Sequence, residues 1–334
     1  MTYYYRPVPQ TGPARSADSM PLAGGWCWFD KVEVLSRTAV PRIMPAAQLP
    51  DDVRTALTSP RKALAGLDMS RPQIMGILNT TPDSFSDGGQ FAARDAAVVR
   101  GLEMGQDGAT IIDVGGESTR PGAATVAIDV EIERTAPIVA ALRACSDVAI
   151  SIDTRKAAVA QAAIGAGATL INDVAALTFD SALTEITAHA GLPICLMHAQ
   201  GDPETMQQAP QYDDVLLDVY DFLAARVDLA VAAGIERDKI VVDPGIGFGK
   251  TLDHNLALLR RLSLFHGLGC PILLGASRKR FIGTITGAEV AQDRTAGSLS
   301  VTLAALSQGV QIHRVHDTKQ TSQACAMTMA LMGV

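Results

Sequence analysis

The sequence predicts an α/β chain folded as a (β/α)8, or TIM, barrel with an N-terminal extension. Three observations predict it. Eight short apolar runs recur along the chain, and each ends on or leads to a polar residue that no strand core would choose. The stretches between the runs have helical composition. The chain has 334 residues, and such a barrel needs roughly 250, so residues 71–334 suffice for it and residues 1–70 form a separate extension.

The runs fall in this order. Ile74–Leu78 ends at Asn79, Thr110–Val114 leads to Glu117, and Val148–Ile152 ends at Asp153. Thr169–Ile171 ends at Asn172 and Asp173, and Pro193–Met197 ends at His198. Ile240–Val242 ends at Asp243, Pro271–Leu274 precedes Ser277, and Val310–Ile312 leads to Arg314 and His316. In a barrel the C-terminal strand ends share one rim, so the eight polar ends are expected to converge on one ligand.

Helices are expected over 92–106, 129–144, 155–166, 181–190, 212–233, 255–264 and 318–332, with an interrupted one over 278–285 and 294–307. Gly167, Gly191 and Gly234 stand where helices would stop. The helices over 92–106, 155–166 and 212–233 are rich in Ala and Val, as an outer ring packed on a barrel should be. The extension has another texture. It holds Tyr3–Tyr5, Trp26, Trp28 and many prolines. Residues 24–35 read as one or two strands, with Lys31–Val34 alternating at period two, and 51–65 as a short helix. Its aromatics favour a segment packed on the barrel over a disordered tail.

Bulk properties exclude several classes. Net charge is −7, which disfavours a generic nucleic-acid surface. A local cluster could still bind a small anion. The five cysteines are scattered with no CxxC spacing, which reads as reduced thiols in the cytoplasm rather than disulfides or a zinc site. No apolar run approaches the ~20 residues of a membrane helix. The N-terminal stretch lacks the apolar core of a signal peptide.

The loops after the runs carry the chemistry. Residues 79–89 are polar and long for a simple cap, with one bulky apolar residue, Phe85, so they read as a mobile functional loop. Asn79 and Asp87 offer hard oxygen ligands suited to Mg²⁺. Gly115 to Gly122 combines small residues with Arg120, a fixed cationic fork. Asp153 is either a helix N-cap or a ligand contact, and Asn172–Asp173 shares that ambiguity. Carboxylates and an amide on one pocket suit a heterocycle rich in N–H groups.

Residues 243–251 look like a phosphate loop but fail the test. Pro244 stands where a Walker A motif needs Gly, and Lys250 where a dinucleotide fingerprint needs one. The glycines are better explained by a chain hugging a flat ligand, with Phe248 available to stack. Ser277 is expected at a helix N-terminus that binds an anion. The cations Arg278, Lys279 and Arg280 oppose that helix's dipole, which points to a ligand that offsets the cost. Arg314 and His316 alternate, so both reach one side, where barrels often hold phosphate.

These segments resemble the dihydropteroate synthase family. The matching stretches are MGILNTTPDSFSDGG (75–89), IIDVGGESTRPGA (111–123), SIDTRK (151–156), INDV (171–174), LMHAQG (196–201), VVDPGIGFGKT (241–251), GASRKRFIG (275–283) and RVHD (314–317). The resemblance implies a transferase of folate biosynthesis. It joins a dihydropterin-methyl diphosphate to 4-aminobenzoate and releases pyrophosphate, with Mg²⁺ as cofactor and a homodimer as assembly. It implies that Asp153, Asn172, Asp243 and Lys279 hold the pterin, with Met197 and Phe248 as walls. Asn79 with Mg²⁺, Arg314 and His316 would grip the diphosphate, helped by Thr119 and Arg120, and Asp87 would join the metal when the first loop closes. Phe85, Pro121 and Ser277 would form the aminobenzoate pocket. Phe85 and Pro121 keep the family's ordinary residues, so no sulfonamide-insensitive variant is expected. A pterin-binding methyltransferase is disfavoured because it handles no diphosphate. A non-catalytic pterin-binding paralogue should have lost Arg120, Lys279 or the first loop.

Overall fold

A computed structural model describes residues 2–80, 89–118, 123–201, 206 and 208–333. The extension comes first. Strands β1 (Tyr4–Pro7), β2 (Met20–Pro21), β3 (Trp28–Phe29), β4 (Lys31–Leu35) and β5 (Arg42–Pro45) lead into helix α1 (Asp51–Thr58). β1, β4 and β5 form an antiparallel sheet, and β2 pairs with β3. The period-two expectation for 31–34 fails at Glu33, which is buried. Its carboxylate accepts from Arg6 Nε at 2.6 Å, so a partner rather than solvent satisfies it. The helix expected over 51–65 stops at Thr58, because Pro60 disfavours helical backbone at the residue before it.

The barrel follows as β6 (Gln73–Asn79), α2 (Gly89–Gln106), β7 (Ile111–Gly115), α3 (Ile128–Cys145), β8 (Ala149–Asp153) and α4 (Ala157–Ala166). Next come β9 (Leu170–Asp173), α5 (Ala182–Ala190), β10 (Ile194–Met197), α6 (Val215–Ala232), β11 (Ile240–Asp243) and α7 (Leu252–Leu259). It ends with β12 (Leu273–Leu274), α8 (Arg280–Thr286), α9 (Thr295–Leu306), β13 (Ile312–Val315) and α10 (Thr318–Met332). The eight strands pair in parallel in the order β11-β10-β9-β8-β7-β6-β13-β12. A bridge between Val242 and Ile272 joins the two ends of that row and closes the ring. β12 is two residues long: Ile272 before it gives its N–H to Gln311 Oε1 at 2.9 Å, and Pro271 before that has none to give.

Strand parity builds the interior in layers, because successive side chains point to opposite faces. One parity packs outward on the helices: Ile74, Leu78, Ile112, Val114, Ile150, Ile152, Leu196, Val242 and Leu274 belong to the main core cluster. The other parity points inward. Its lowest layer is apolar: Met75, Ile111, Ala149, Leu170, Cys195, Val241, Leu273 and Ile312 cluster with Leu64 and Met69. The segment joining the extension to β6 therefore plugs the N-terminal mouth. Two residues further along each strand the same parity brings Ile77, Asp113, Ser151, Asn172, Met197, Asp243, Gly275 and Arg314 to the next layer. The polar site occupies this second storey and the strand ends above it, where Asp153 and Asn79 lie.

The extension packs on the barrel's flank through an apolar cluster that includes Leu22, Trp26, Phe29, Leu57 and Leu306. Trp26 Nε1 donates to Leu306 O at 2.7 Å, and Tyr4 OH donates to Asp221 Oδ2 at 2.8 Å.

Candidate active site

Arg314 is the hub of the polar layer. Its Nε donates to Asp113 Oδ2 at 2.6 Å and its Nη2 to Asp153 Oδ2 at 2.7 Å. Asn172 Nδ2 also donates to Asp113 Oδ2, at 3.2 Å. That bond fixes the amide so that its carbonyl oxygen faces elsewhere. Asp113 Oδ1 and Asp153 Oδ1 are buried with no protein partner among the described residues. A buried acceptor without a donor is costly unless a ligand supplies one. Two such oxygens in one mouth are a receptor for N–H groups.

Asp153 ends β8 and is not a helix cap: α4 begins after Lys156, and Asp180 Oδ2 accepts from its first N–H, on Ala157. Burial pushes the Asp153 carboxyl up to about 7, with Asp113, Glu131 and Asp173 adding to the shift and Arg314 opposing it. Burial also raises Asp243, against the pull of Lys279. Lys279 is drawn down to about 8 by burial, partly offset by Asp243. Burial alone would lower Arg314, but Asp113 and Asp153 hold its guanidinium charged, above its ordinary range.

The loop after β11 forms a wall. Lys279 Nζ donates to Ile246 O and lies 4.5 Å from the centroid of the Phe248 ring. Asp243 Oδ1 accepts from Gly245 N at 2.7 Å. Gly245 has φ +66°, and a Cβ there would lie 1.8 Å from His198 O. Only glycine lets the loops after β10 and β11 touch. Lys250 seals them, donating to His198 Nδ1 at 2.9 Å and Phe248 O at 3.0 Å. His198 is neutral there, its pKa pulled down to about 2 by burial and then by Lys250. A cavity of about 220 Å³, lined by Val174, Phe179, Met206 and Phe222 among others, shares Phe248 with this wall. Met197 is buried at the end of β10.

The expectation that all eight polar ends converge needs correction. Glu117 turns into a buried ion cluster, where it accepts from Lys156 Nζ at 2.6 Å and Arg155 Nε at 3.2 Å. Asp173 folds back on its own loop and accepts from Ala175 N and Leu177 N at 2.8 and 2.6 Å. His198 is spent on Lys250. Buried carboxylates and imidazoles take the nearest partner, and for these three that partner lies outside the mouth.

Ser277 does not sit at a helix N-terminus either. α8 begins at Arg280, with Lys279 as its N-cap residue. Ser277 Oγ instead accepts from His316 N at 3.2 Å and lies 3.1 Å from His316 Nδ1. The three cations do not face one ligand together: Arg278 pairs with Asp317, Lys279 meets the β11 loop, and Arg280 is exposed. The strand expected over 310–312 runs instead from Ile312 to Val315, so Arg314 lies within it and His316 follows it. Asn79 ends β6 with inward parity, half-buried. Phe85, Asp87, Thr119, Arg120 and Pro121 lie outside the described residues.

Sequence reasoning missed Asp113. Asp113 stands inside an apolar run rather than at its end. The signal was there: a carboxylate in the middle of IIDVG has inward parity with Ile111, so it cannot face solvent.

A closed parallel barrel whose inner layer pairs carboxylates, an amide and an arginine defines a pterin-binding enzyme; the sequence profile of the family described as "Pterin binding enzyme" matches residues 75–316. A dihydropteroate synthase of Escherichia coli (strain K12) is 47% identical over 266 residues, spanning 80% of this chain and 94% of that one. The solved structure of Xanthomonas albilineans dihydropteroate synthase with 4-aminobenzoic acid superposes with a TM-score of 0.78 at 44% identity, covering 83% of this chain and 100% of that one. The same organism's enzyme in complex with 7,8-dihydropteroate gives 0.73 at 40% identity, covering 80% and 96%. The chain belongs to the dihydropteroate synthase family.

Proposed function

We propose that this protein joins a (7,8-dihydropterin-6-yl)methyl diphosphate to 4-aminobenzoate, releasing pyrophosphate and forming 7,8-dihydropteroate for folate synthesis. The observation that carries this is the Arg314 hub: a cation flanked by two buried carboxylates, each with an oxygen awaiting a donor. The family's substrates fit it. A pterin edge offers N–H donors to carboxylate oxygens. Asn172, Asp243 and Lys279 surround the same mouth, and Met197 and Phe248 give it apolar walls.

Departure of the diphosphate leaves positive charge on the pterin-methyl group. Ionised Asp153 stabilises that charge from a fixed position, the form of catalysis that needs no reorganisation. Arg314 uses two of its five N–H donors on Asp113 and Asp153, and the others remain for the leaving group. His316 follows two residues later on the same chain, its Nδ1 3.1 Å from Ser277 Oγ. The arylamine is a neutral nucleophile, so no activated side chain is required.

Mg²⁺ fits the donors on this rim. Among the described residues no cluster of three or more His, Cys, Asp or Glu could cage a metal. Asn79 at the end of β6 supplies one hard oxygen, and Mg²⁺ is commonly held by one or two protein groups, waters and substrate phosphates. When bound, Mg²⁺ neutralises charge on the diphosphate. Asn79 would hold it, with Asp87.

The reading extends to a cytoplasmic homodimer. Among the described residues no helix is long and apolar enough to cross a membrane. Met327 and Leu331 expose apolar surface on α10, 58% and 75% accessible, which a second copy could cover. Light scattering in solution measures that mass directly.

The deciding assay incubates the protein with the pterin diphosphate, 4-aminobenzoate and Mg²⁺ and follows pyrophosphate. Release that depends on both the amine and the metal is expected. Release that ignores the amine would sink the transferase reading.

A further inference from the structure

The chain after β12 supplies Ser277 and Lys279, and the end of β13 supplies Arg314 and His316. Arg278 lies between the first two with φ +58°, a left-handed conformation that strains a residue with a side chain. Its guanidinium turns to Asp317, with Nε 3.0 Å from Oδ2 and Nη2 2.5 Å from Oδ1. Two parallel bonds of this kind fix direction as well as distance. The Arg278 backbone is also held: its N–H donates to Ser298 Oγ at 2.9 Å, and its carbonyl accepts from Arg294 Nη1 at 3.0 Å.

Asp317 makes a matching sacrifice. It is the N-cap residue of α10, yet its side chain caps no N–H of that helix. An Asp there ordinarily turns to its own helix. Its oxygens go to Arg278 and to Thr295 Oγ1, the latter at 3.2 Å. One residue earlier in each segment, Ser277 meets His316. The two segments are thus stitched at consecutive positions, 277 to 316 and 278 to 317.

We propose that Arg278 and Asp317 form a tether that sets Ser277 and Lys279 against Arg314 and His316, making both positioning residues rather than substrate contacts. The proposal rests on the functional reading above. Under that reading the tether fixes the spacing between the amine side, the pterin side and the departing diphosphate. The left-handed turn is what lets Ser277 and Lys279 serve the mouth while the side chain between them reaches Asp317.

The test compares Arg278→Gln, Asp317→Asn, the double variant and Arg278→Gly. Steady-state constants for both substrates are measured on the folded, size-exclusion-purified fraction. Each single change is expected to raise KM for both substrates by roughly tenfold, within the coupling range of contacting residues. The double variant should be no worse than the worse single one. Arg278→Gly should lose as much as Arg278→Gln, although glycine relieves the backbone, because the tether is gone. A pair that only stabilised the fold would lower the thermal midpoint and leave KM untouched. Unchanged KM values in the singles, or losses that multiply in the double, overturn the proposal. A wild-type protein that releases no pyrophosphate fails in a separate arm, and it removes the functional reading and this one together.

Discussion

Arg314 and Asp153 meet across the barrel interior, Nη2 to Oδ2 at 2.7 Å, from strands 161 residues apart in the chain. Asp113 completes the contact on the other side of the guanidinium. The trio puts two carboxylates on one cation at the centre of the mouth.

Replacing Arg314 with Ala leaves two buried carboxylates without their cation. Removing one partner of a buried pair costs about 3–5 kcal/mol, and the low end applies because the Arg314 side chain keeps 21% exposure. Chemical denaturation should therefore show a loss near 3 kcal/mol. Affinity for the pterin diphosphate should fall more than affinity for a pterin without phosphate. Equal losses for the two ligands would contradict the role given to Arg314.

Under the proposed reaction Asp153 acts ionised, and Lys279 acts protonated, as the cation beside Asp243. Asp153 loses its proton as pH rises through about 7, and Lys279 loses its own through about 8. Activity should climb through the first value and decline past the second, giving a narrow bell in kcat/KM for the pterin diphosphate. Lys279→Arg keeps the charge and should push the alkaline limb upward. A profile that is flat over roughly pH 6 to 9 would refute the assignment.

Gly245→Ala tests the contact between the loops after β10 and β11. The added methyl would overlap His198 O and force an alanine into a left-handed conformation. Strain of this kind costs about 1–3 kcal/mol for the backbone alone, before the clash is relieved. Reduced yield and a large rise in pterin KM are expected, because Phe248 rides on that loop and Gly245 N donates to Asp243 Oδ1. Wild-type kinetics from this variant would show that the loop tolerates displacement.

Leu64→Ala probes the plug at the opposite mouth. Leu64 is 1% exposed and belongs to the lowest interior layer. A buried Leu→Ala change costs about 2–5 kcal/mol, depending on how far the cavity collapses. Thermal unfolding should register that loss while KM for both substrates holds, since the polar layer lies above. A change in KM would mean the lower layer transmits strain upward.

Much of the fold was legible because hydrophobic periodicity is a local property. Each apolar run and each helix stop, such as Gly167 and Gly191, can be found from its own neighbourhood. Boundaries shifted where a distant partner decided them. Composition places a helix start at Arg155, but Arg155 pairs with Glu117 and the helix begins at Ala157. The helix expected over 255–264 begins at Leu252, where Thr251 caps it in a reciprocal box with His254.

Residue type and strand position alone brought Asp153, Asn172, Asp243 and Arg314 under consideration. They could not separate these from Glu117, Asp173 and His198, which have the same type at the same kind of position. A buried charge goes to whichever opposite charge or donor the fold brings within reach, and that geometry is not local. Lys156 claims Glu117, a backbone turn claims Asp173, and Lys250 claims His198.

The alternation of strands and helices and the polar tips of the strands can be read from composition and spacing along the chain, and the loop motifs carry a family resemblance. Which tips share the mouth, the place of Asp113 among them, and the turn of Arg278 to Asp317 were settled by contacts between distant segments. Such choices depend on register around a closed ring, where one residue of shift carries a side chain to the opposite face.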